Sequence, residues 1–326
     1  MNIKNSTIKS NNKNTFGVVL TCEDFTVTNE VFSLLKDESL DLLITSPQPK
    51  LENLGKYYES DNYISHTDSS KSILDKVYQI AKNYTIDRKV RMVNEIEKIE
   101  GRRKTGKVEN GINPKTKDKR PKTILDIGCG TGDFLVACKK EKWNVIGVEP
   151  NTKAATLANL KLQNITVDKN TKNNFNLFKD INELKKENKF DVITMWHVLE
   201  HVPNLEEYIN NLKKLLKPNG TLIIAVPNYK SFDAKYYKQF WAAYDVPRHL
   251  WHFSKKSISL LFKKENMKVV KTLPMKLDSY YVSLLSEKYK TGKSNLLKAF
   301  FIGFKSNFKA LSSKEYSSLI YIIKNN

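Results

Sequence analysis

Three glycines at alternate positions, Gly128, Gly130 and Gly132, close a short apolar run in Lys122–Leu135, KTILDIGCGTGDFL. Ile124, Leu125 and Ile127 have the look of a buried parallel strand. Asp133-Phe-Leu-Val-Ala then makes a good helix opening, because the first turn favours an acid. Strand, glycine turn and helix together present backbone N–H groups to a ligand at a crevice. Few folds other than a parallel sheet flanked by helices make use of such a turn.

The spacing separates the ligands that use it. A dinucleotide fingerprint counted from Gly128 needs Gly or Ala at position 133, where Asp133 stands. Asp126, two residues before the first glycine, would repel a pyrophosphate. A ligand with a cationic amino group and no phosphate suits that carboxylate better, and S-adenosylmethionine is such a ligand. A second apolar strand, Val145-Ile-Gly-Val, ends at Glu149, whose carboxylate can accept both hydroxyls of a ribose. The plainer alternative is a tight glycine turn with a surface Glu.

The D-x-G-x-G-x-G turn, with Glu149 closing the next strand, resembles class I S-adenosylmethionine-dependent methyltransferases. Phe190–Val202, FDVITMWHVLEHV, followed by LLKPNGTLIIAVPN, is similar to the same class, particularly to relatives of ubiquinone-pathway O-methyltransferases. The resemblance implies an α/β, Rossmann-like sheet, mostly parallel with an antiparallel last strand and helices on both faces. It implies S-adenosyl-L-methionine as cofactor, held by Asp126, Gly128, Cys129, Gly130, Gly132, Glu149, Pro150, Asp180, Trp196 and His197. The strand–helix alternation supports that sheet independently. Strands are expected at Leu125–Gly128, Asn144–Glu149, Phe175–Phe178, Phe190–Trp196, Thr221–Val226, Met267–Leu273 and Ser318–Ile323, with a turn at Lys217–Gly220.

Ahead of this domain (123–326) the sequence predicts a disordered tail (1–14), an accessory region (15–100) and a basic loop (101–122). The accessory region reads as a small β-rich lead-in, a Tyr-rich lid loop with Tyr58, Tyr63 and His66, and a helical stripe interrupted near Asn83-Tyr-Thr. Insertions decorate the domain at 229–253 and 274–317, the second largely helical. Three cysteines give neither a disulfide framework nor zinc spacing, and no run reaches the roughly 18 apolar residues of a membrane span. With a polar start, the expected compartment is the cytoplasm. The net charge of +20 raises the question of nucleic acid. Much of it is Lys scattered through 255–326 without a stacking platform, which reads as a solvated surface. Nucleic acid and membrane are therefore not the expected partners; a small molecule is, with an anionic one as an option.

Methyl transfer is an in-line displacement, so the protein has to position an acceptor and often remove its proton. The first insertion, FWAAYDVPRHLWHF from Phe240, mixes polar groups with an aromatic background, as pocket walls do. Tyr63, Trp241, Tyr244 and Arg248 are the substrate candidates, although Arg248 could instead pair with Asp245 to fix the loop. His249 is the first choice for general base, then His252 or His197, since imidazole titrates near working pH. His197-x-x-Glu200-His201 also matches the H-x-x-E-H metalloprotease pattern, but it follows a strand and has no obvious third ligand. Some ubiquinone-pathway relatives hold a divalent cation in this segment. Glu200 and His201 match those positions, whereas His197 replaces the first acid, so no metal is expected. Two other functions stay open: methylation of RNA or protein, and a catalytically idle cofactor-binding partner subunit.

Overall fold

The computed structural model describes residues 8–9, 15–58, 82–96, 122–165, 175–185, 187 and 189–326. Tyr63, His66 and residues 101–121 of the basic loop lie outside them, as does nearly all of the tail 1–14. The strands in chain order are β1 (Ile8–Lys9), β2 (Thr15–Glu23), β3 (Val31–Asp37), β4 (Leu42–Ser46), β5 (Thr123–Ile127) and β6 (Asn144–Val148). They continue as β7 (Phe175–Phe178), β8 (Phe190–Trp196), β9 (Leu216–Pro227), β10 (Trp251–His252), β11 (Met267–Pro274) and β12 (Ser318–Asn325). The helices are α1 (82–96), α2 (Asp133–Lys140), α3 (Thr152–Gln163), α4 (Leu205–Leu215), α5 (Phe232–Tyr237), α6 (Lys255–Lys264), α7 (Asp278–Thr291) and α8 (Leu296–Ser313).

Seven strands form one sheet in the order β11-β12-β9-β8-β5-β6-β7. β5, β6 and β7 run parallel, and β12 runs antiparallel to both β9 and β11. This is the mostly parallel sheet with an antiparallel last strand that the sequence implies. A second sheet, β1-β2-β3-β4-β10, is antiparallel. The chain divides into two compact units: Met1–Ile64, Met195–Lys213 and Thr221–Asn326 form one, Ser65–Thr194 and Lys214–Gly220 the other.

In the second unit, Ile124, Leu125 and Ile127 are buried on β5, in register with β6 from Thr123↔Asn144 to Ile127↔Val148. A Cβ on Gly132 would stand 2.8 Å from that of Ala158, so the start of α2 meets α3 at a distance only glycine allows. α1 is helical throughout 82–96, with no break at Asn83–Thr85. Its Asn94 accepts the indole N–H of Trp143 at 2.9 Å, and its Lys82 pairs with Asp133 at 2.7 Å. β9 begins at Leu216, so Lys217–Gly220 belong to a strand and not to the expected turn. Gly220 permits this, because a Cβ there would fall 2.9 Å from the Phe190 carbonyl oxygen.

The other unit draws on three separate stretches of the chain. The accessory region is not one body: its β-rich part and α1 fall in different units. Nor is the first insertion a free-standing wall. Its strand β10 pairs with β4 through Trp251↔Ile44 and His252↔Leu43. Alternate residues Phe32 and Leu34 of β3 are buried and share a core with Ala234, Tyr237, Trp241, Tyr244 and Val246 of the insertion. At the hinge of β2 and β3, the buried Asp24 carboxylate accepts backbone N–H groups of Thr26 and Thr28. Arg248, 1% exposed, donates to Asp24 (2.9 Å), to Asp245 (2.6 Å) and to the Tyr57 carbonyl (3.0 Å). Burial alone would push Asp24 up, but the Arg248 guanidinium holds it below the usual carboxylate range.

Removing one member of such a buried set strands the other charges, which costs about 3–5 kcal/mol. Arg248→Ala is therefore expected to lower unfolding stability by that order in urea titrations. The Asp24→Ala/Arg248→Ala double variant should lose less than the sum of the singles. A loss below about 1 kcal/mol, as for an exposed pair, would contradict the assignment.

Candidate functional site

At the carboxyl end of β5 the chain turns through Gly128, Gly130 and Gly132, with φ of 70°, 54° and 77°. All three lie in the left-handed region that disfavours a side chain. The N–H groups of Gly128 and Cys129 return to the Val148 carbonyl at 2.8 and 3.1 Å. Gly130 N–H instead meets Glu149 Oε2 at 2.8 Å, while Glu149 Oε1 accepts Asn151 N–H at 2.9 Å. The acid that ends β6 thus fastens the turn that ends β5.

Asp126 lies within the sheet, 2% exposed, and accepts the Thr194 hydroxyl at 2.6 Å. Burial pushes its pKa up to about 7, against the Thr194 bond and the Lys89 charge; nearby Glu149 adds to the rise. Sequence reasoning passed over Thr194, although a Thr within the apolar run FDVITMW was a signal. Cys129 is buried and its thiol is pushed up by burial. Pro150 is exposed, and Asp180, also exposed, caps a short 3-10 turn by accepting Asn182 N–H at 2.8 Å. Trp196 closes β8 half-buried.

The histidine groups are in the unit that carries the first insertion. His197 follows β8 at φ 59°, a left-handed conformation unusual for a residue with a Cβ. Its Nδ1 lies 3.3 Å from Glu200 and its Nε2 3.1 Å from Asp278. Burial opposes the charge, but these carboxylates outweigh it and hold the ring pKa up at about 10. His197 is consequently a cation at neutral pH with both nitrogens engaged, and it is corrected from base to charged partner. Its partner Asp278 comes from α7, 81 residues later, with no local sign in the sequence.

His201 and Glu200 sit in a 3-10 turn, Leu199–His201, and not on an α-helix as the metalloprotease pattern requires. His201 Nδ1 is 3.0 Å from the Arg248 carbonyl, which can only accept, so the proton sits on Nδ1. The Tyr58 hydroxyl lies at the same distance from that nitrogen. Burial, then the neighbouring His249, pull the His201 pKa down to about 4. His249 Nδ1 likewise donates to a carbonyl, that of Ala243, at 2.9 Å. Its Nε2 is left with a lone pair, 4.0 Å from Glu200 and 3.9 Å from Asp245. Glu200 is fully buried; burial raises its pKa, but His197 and then His249 and His201 hold it below the usual range. Its Oε2 has no hydrogen-bond partner among the described residues. Donor atoms of Glu200, His201 and His249 all lie within 4.8 Å of one another.

The remaining candidates are structural. His252 is buried in β10, its Nε2 3.0 Å from the Thr45 hydroxyl, and burial keeps it neutral. It holds the second sheet together and is corrected from the list of bases. Trp241 is 2% exposed and donates to Asp233 at 2.8 Å, with Tyr244 packed edge-on at 4.9 Å; both are core residues, and with Arg248 and Tyr289 they also line a narrow cleft. Arg248 is engaged by Asp24, Asp245 and the Tyr57 carbonyl, the structural alternative that the sequence offered for it. Asp24 escaped sequence reasoning because 224 residues separate it from Arg248.

The sheet order, the antiparallel β12 and the glycine turn at the end of β5 together define a class I methyltransferase fold. A family model described as a methyltransferase domain matches residues 103–272, just over half of the chain, and the chain belongs to that family. It is similar to magnesium protoporphyrin IX methyltransferase of Synechocystis PCC 6803, solved with SAH bound, over 84% of this chain and all of that one. The TM-score of 0.52 at 14% identity shows the shared fold. Over 114 residues, 34% of this chain and 46% of the relative, it is 33% identical to a ubiquinone biosynthesis O-methyltransferase of Hydrogenovibrio crunogenus. The protein of the same name from Rickettsia typhi is 33% identical over 105 residues, 32% of this chain and 41% of that one. The chain spans less than half the length of these two curated relatives.

Asp126 gives a stability prediction. Its folded pKa of about 7 lies above the ordinary carboxylate value, so its contribution is fully present near pH 4 and is lost as pH rises through 7. The loss is on the order of 4 kcal/mol. Asp126→Asn keeps an acceptor for Thr194 and should flatten the fall in melting temperature between those pH values; an unchanged slope would contradict the burial argument.

Proposed function

We propose that the chain transfers a methyl group from S-adenosylmethionine to an oxygen of a small-molecule acceptor. The observation that carries this reading is Glu149 fastened to Gly130 at the strand ends. The residues fit the cofactor. A Cβ on Gly130 would meet nothing within 4 Å, so open space faces the turn. Two of the roughly four acceptor positions of the Glu149 carboxylate are occupied by N–H groups, which leaves capacity for ribose hydroxyls. Oxygen as the acceptor atom is supported by the name the curated relatives share.

When bound, the cofactor supplies a methyl group on a positively charged sulfur, a leaving group that is already activated. Glu149 holds the ribose end. Asp126, close to half-ionised near neutrality, gives up its proton as a cationic amino group arrives. His249 is the general base: its proton is parked on Nδ1 by the Ala243 carbonyl, and its Nε2 can take one from an acceptor hydroxyl. Glu200 and Asp245, each about 4 Å away, then stabilise the imidazolium.

One observation favours a second reading of the same cluster. His201 and His249 each give Nδ1–H to a backbone carbonyl and keep Nε2 free of a proton, as metal-ligating histidines do. With Glu200 they make a donor set suited to a divalent cation, which would polarise an acceptor oxygen. His249 then replaces the acid that residue 197 does not provide.

Calorimetry should register S-adenosylmethionine binding with proton release near pH 7, seen as an enthalpy that varies with buffer. Glu149→Ala should weaken binding roughly ten- to hundredfold. Tight NAD binding with no response to S-adenosylmethionine would defeat the cofactor assignment. Labelled-methyl transfer into cell-extract fractions should fall about 10²–10⁴-fold in His249→Ala with cofactor affinity kept. Saturable Mg²⁺, Mn²⁺ or Zn²⁺ binding that His201→Ala abolishes would select the cation over the free base.

A further inference from the structure

α8, Leu296–Ser313, carries its large side chains on the outside. Phe300, Phe301, Phe304 and Phe308 are 53–64% exposed, and Leu297 and Leu311 are exposed beside them. Their spacing of three and four residues puts them on one face. The packed face is narrow and made of small residues, Ala299, Gly303, Ser306 and Ala310. A Cβ on Gly303 would lie 2.9 Å from the Tyr280 backbone, so α7 touches α8 there backbone to backbone. Ser306 donates to buried Asp233 at 2.6 Å. The inward side of the helix is thus filled, and the phenylalanines have been left outside it.

Charge selects the occupant. The helix contains no acid, and Lys298, Lys305 and Lys309, seven and four residues apart, lie along one edge of the apolar face; Lys298 is paired with Glu287 at 3.1 Å, so Lys305 and Lys309 supply the charge on this edge. Lys305 and Lys309 both reach over the Phe232 ring, at 5.5 and 4.5 Å, which concentrates two ammonium groups beside the phenylalanines. The whole chain carries a net charge of +20. A second copy would offer this face no counter-charge, since a two-fold contact matches each patch with itself. An apolar stripe edged by lysines is instead complementary to anionic headgroups above acyl chains. No helix among the described residues is long and apolar enough to cross a membrane, so the contact is with one surface.

We propose that α8 seats the protein on an anionic lipid surface, lying in the plane of the interface with its phenylalanines in the headgroup–acyl boundary and its lysines on the headgroups. This does not depend on the catalytic reading.

Flotation of the full chain with phosphatidylcholine vesicles, with and without phosphatidylglycerol, tests the proposal. Binding is expected with phosphatidylglycerol, weakening as salt is raised, and little without it. Phe301→Ser/Phe304→Ser/Phe308→Ser changes only exposed positions, so circular dichroism should be unchanged while vesicle affinity falls about tenfold or more. Lys305→Glu/Lys309→Glu should weaken binding by a similar factor. Failure of the parent chain to float, or vesicle binding untouched by both variants, would overturn the proposal. So would a dimer in sedimentation that the triple variant dissolves while vesicle binding is absent, because the face would then belong to a second copy.

Discussion

A fully buried guanidinium organises the unit that holds the histidines. Arg248 joins Asp24 at the β2–β3 hairpin, Asp245 in the insertion and the Tyr57 carbonyl. Its own carbonyl takes the His201 N–H, and His249 is the next residue. One charge taken out of water thus sets the position of two imidazoles and the state of their protons. Arginine suits this use because its donors are fixed in a plane and stay charged when buried. Lysine would bring one ammonium and could meet the penalty of burial by releasing its proton. The energetic cost of such an ion set is high and its net contribution to stability is small; what it provides is position.

The glycine turn follows a different physical logic. There the ligand-facing groups belong to the backbone, and the side chains of Asp126 and Glu149 stand behind and across from it. Asp126 faces Thr194 within the sheet, so it acts on the crevice through charge from a buried place. A buried acid near its titration midpoint responds strongly to a cation, whereas a solvated one would be ionised already and largely screened.

That contrast explains how much was legible in the sequence. The β5 turn, Glu149 and the strand Phe175–Phe178 are written in local spacing, with periods of two and 3.6 and glycines at fixed offsets; the antiparallel direction of β12 was implied by the family resemblance alone. The packing of the substrate candidates was hidden for an equally physical reason. Trp241, Tyr244 and Arg248 have the composition of a pocket, but composition is the same for a pocket wall and for a polar core, and only the partner decides. Those partners, Cys22, Phe32 and Asp24, sit some two hundred residues upstream. His252 and His197 show the same limit. An imidazole is a candidate base in any sequence until its neighbours are known, and here Thr45 and Asp278 remove them.

The histidine cluster carries one further consequence. Capping both Nδ1 atoms with carbonyls excludes the tautomer in which Nε2 holds the proton and leaves a lone pair on each ring, with His249 Nε2 4.0 Å from Glu200 Oε1. A proton or a divalent cation satisfies the same electrostatic demand, a positive charge between Glu200 and two neutral imidazoles. The low pKa of His201 means that a proton is poorly held there, because charging one ring is opposed by burial and by the other ring. A divalent cation would also be penalised by burial, with one carboxylate and two imidazoles together to offset the cost. Both proposed readings therefore rest on the same three donors, which lie within 4.8 Å of one another.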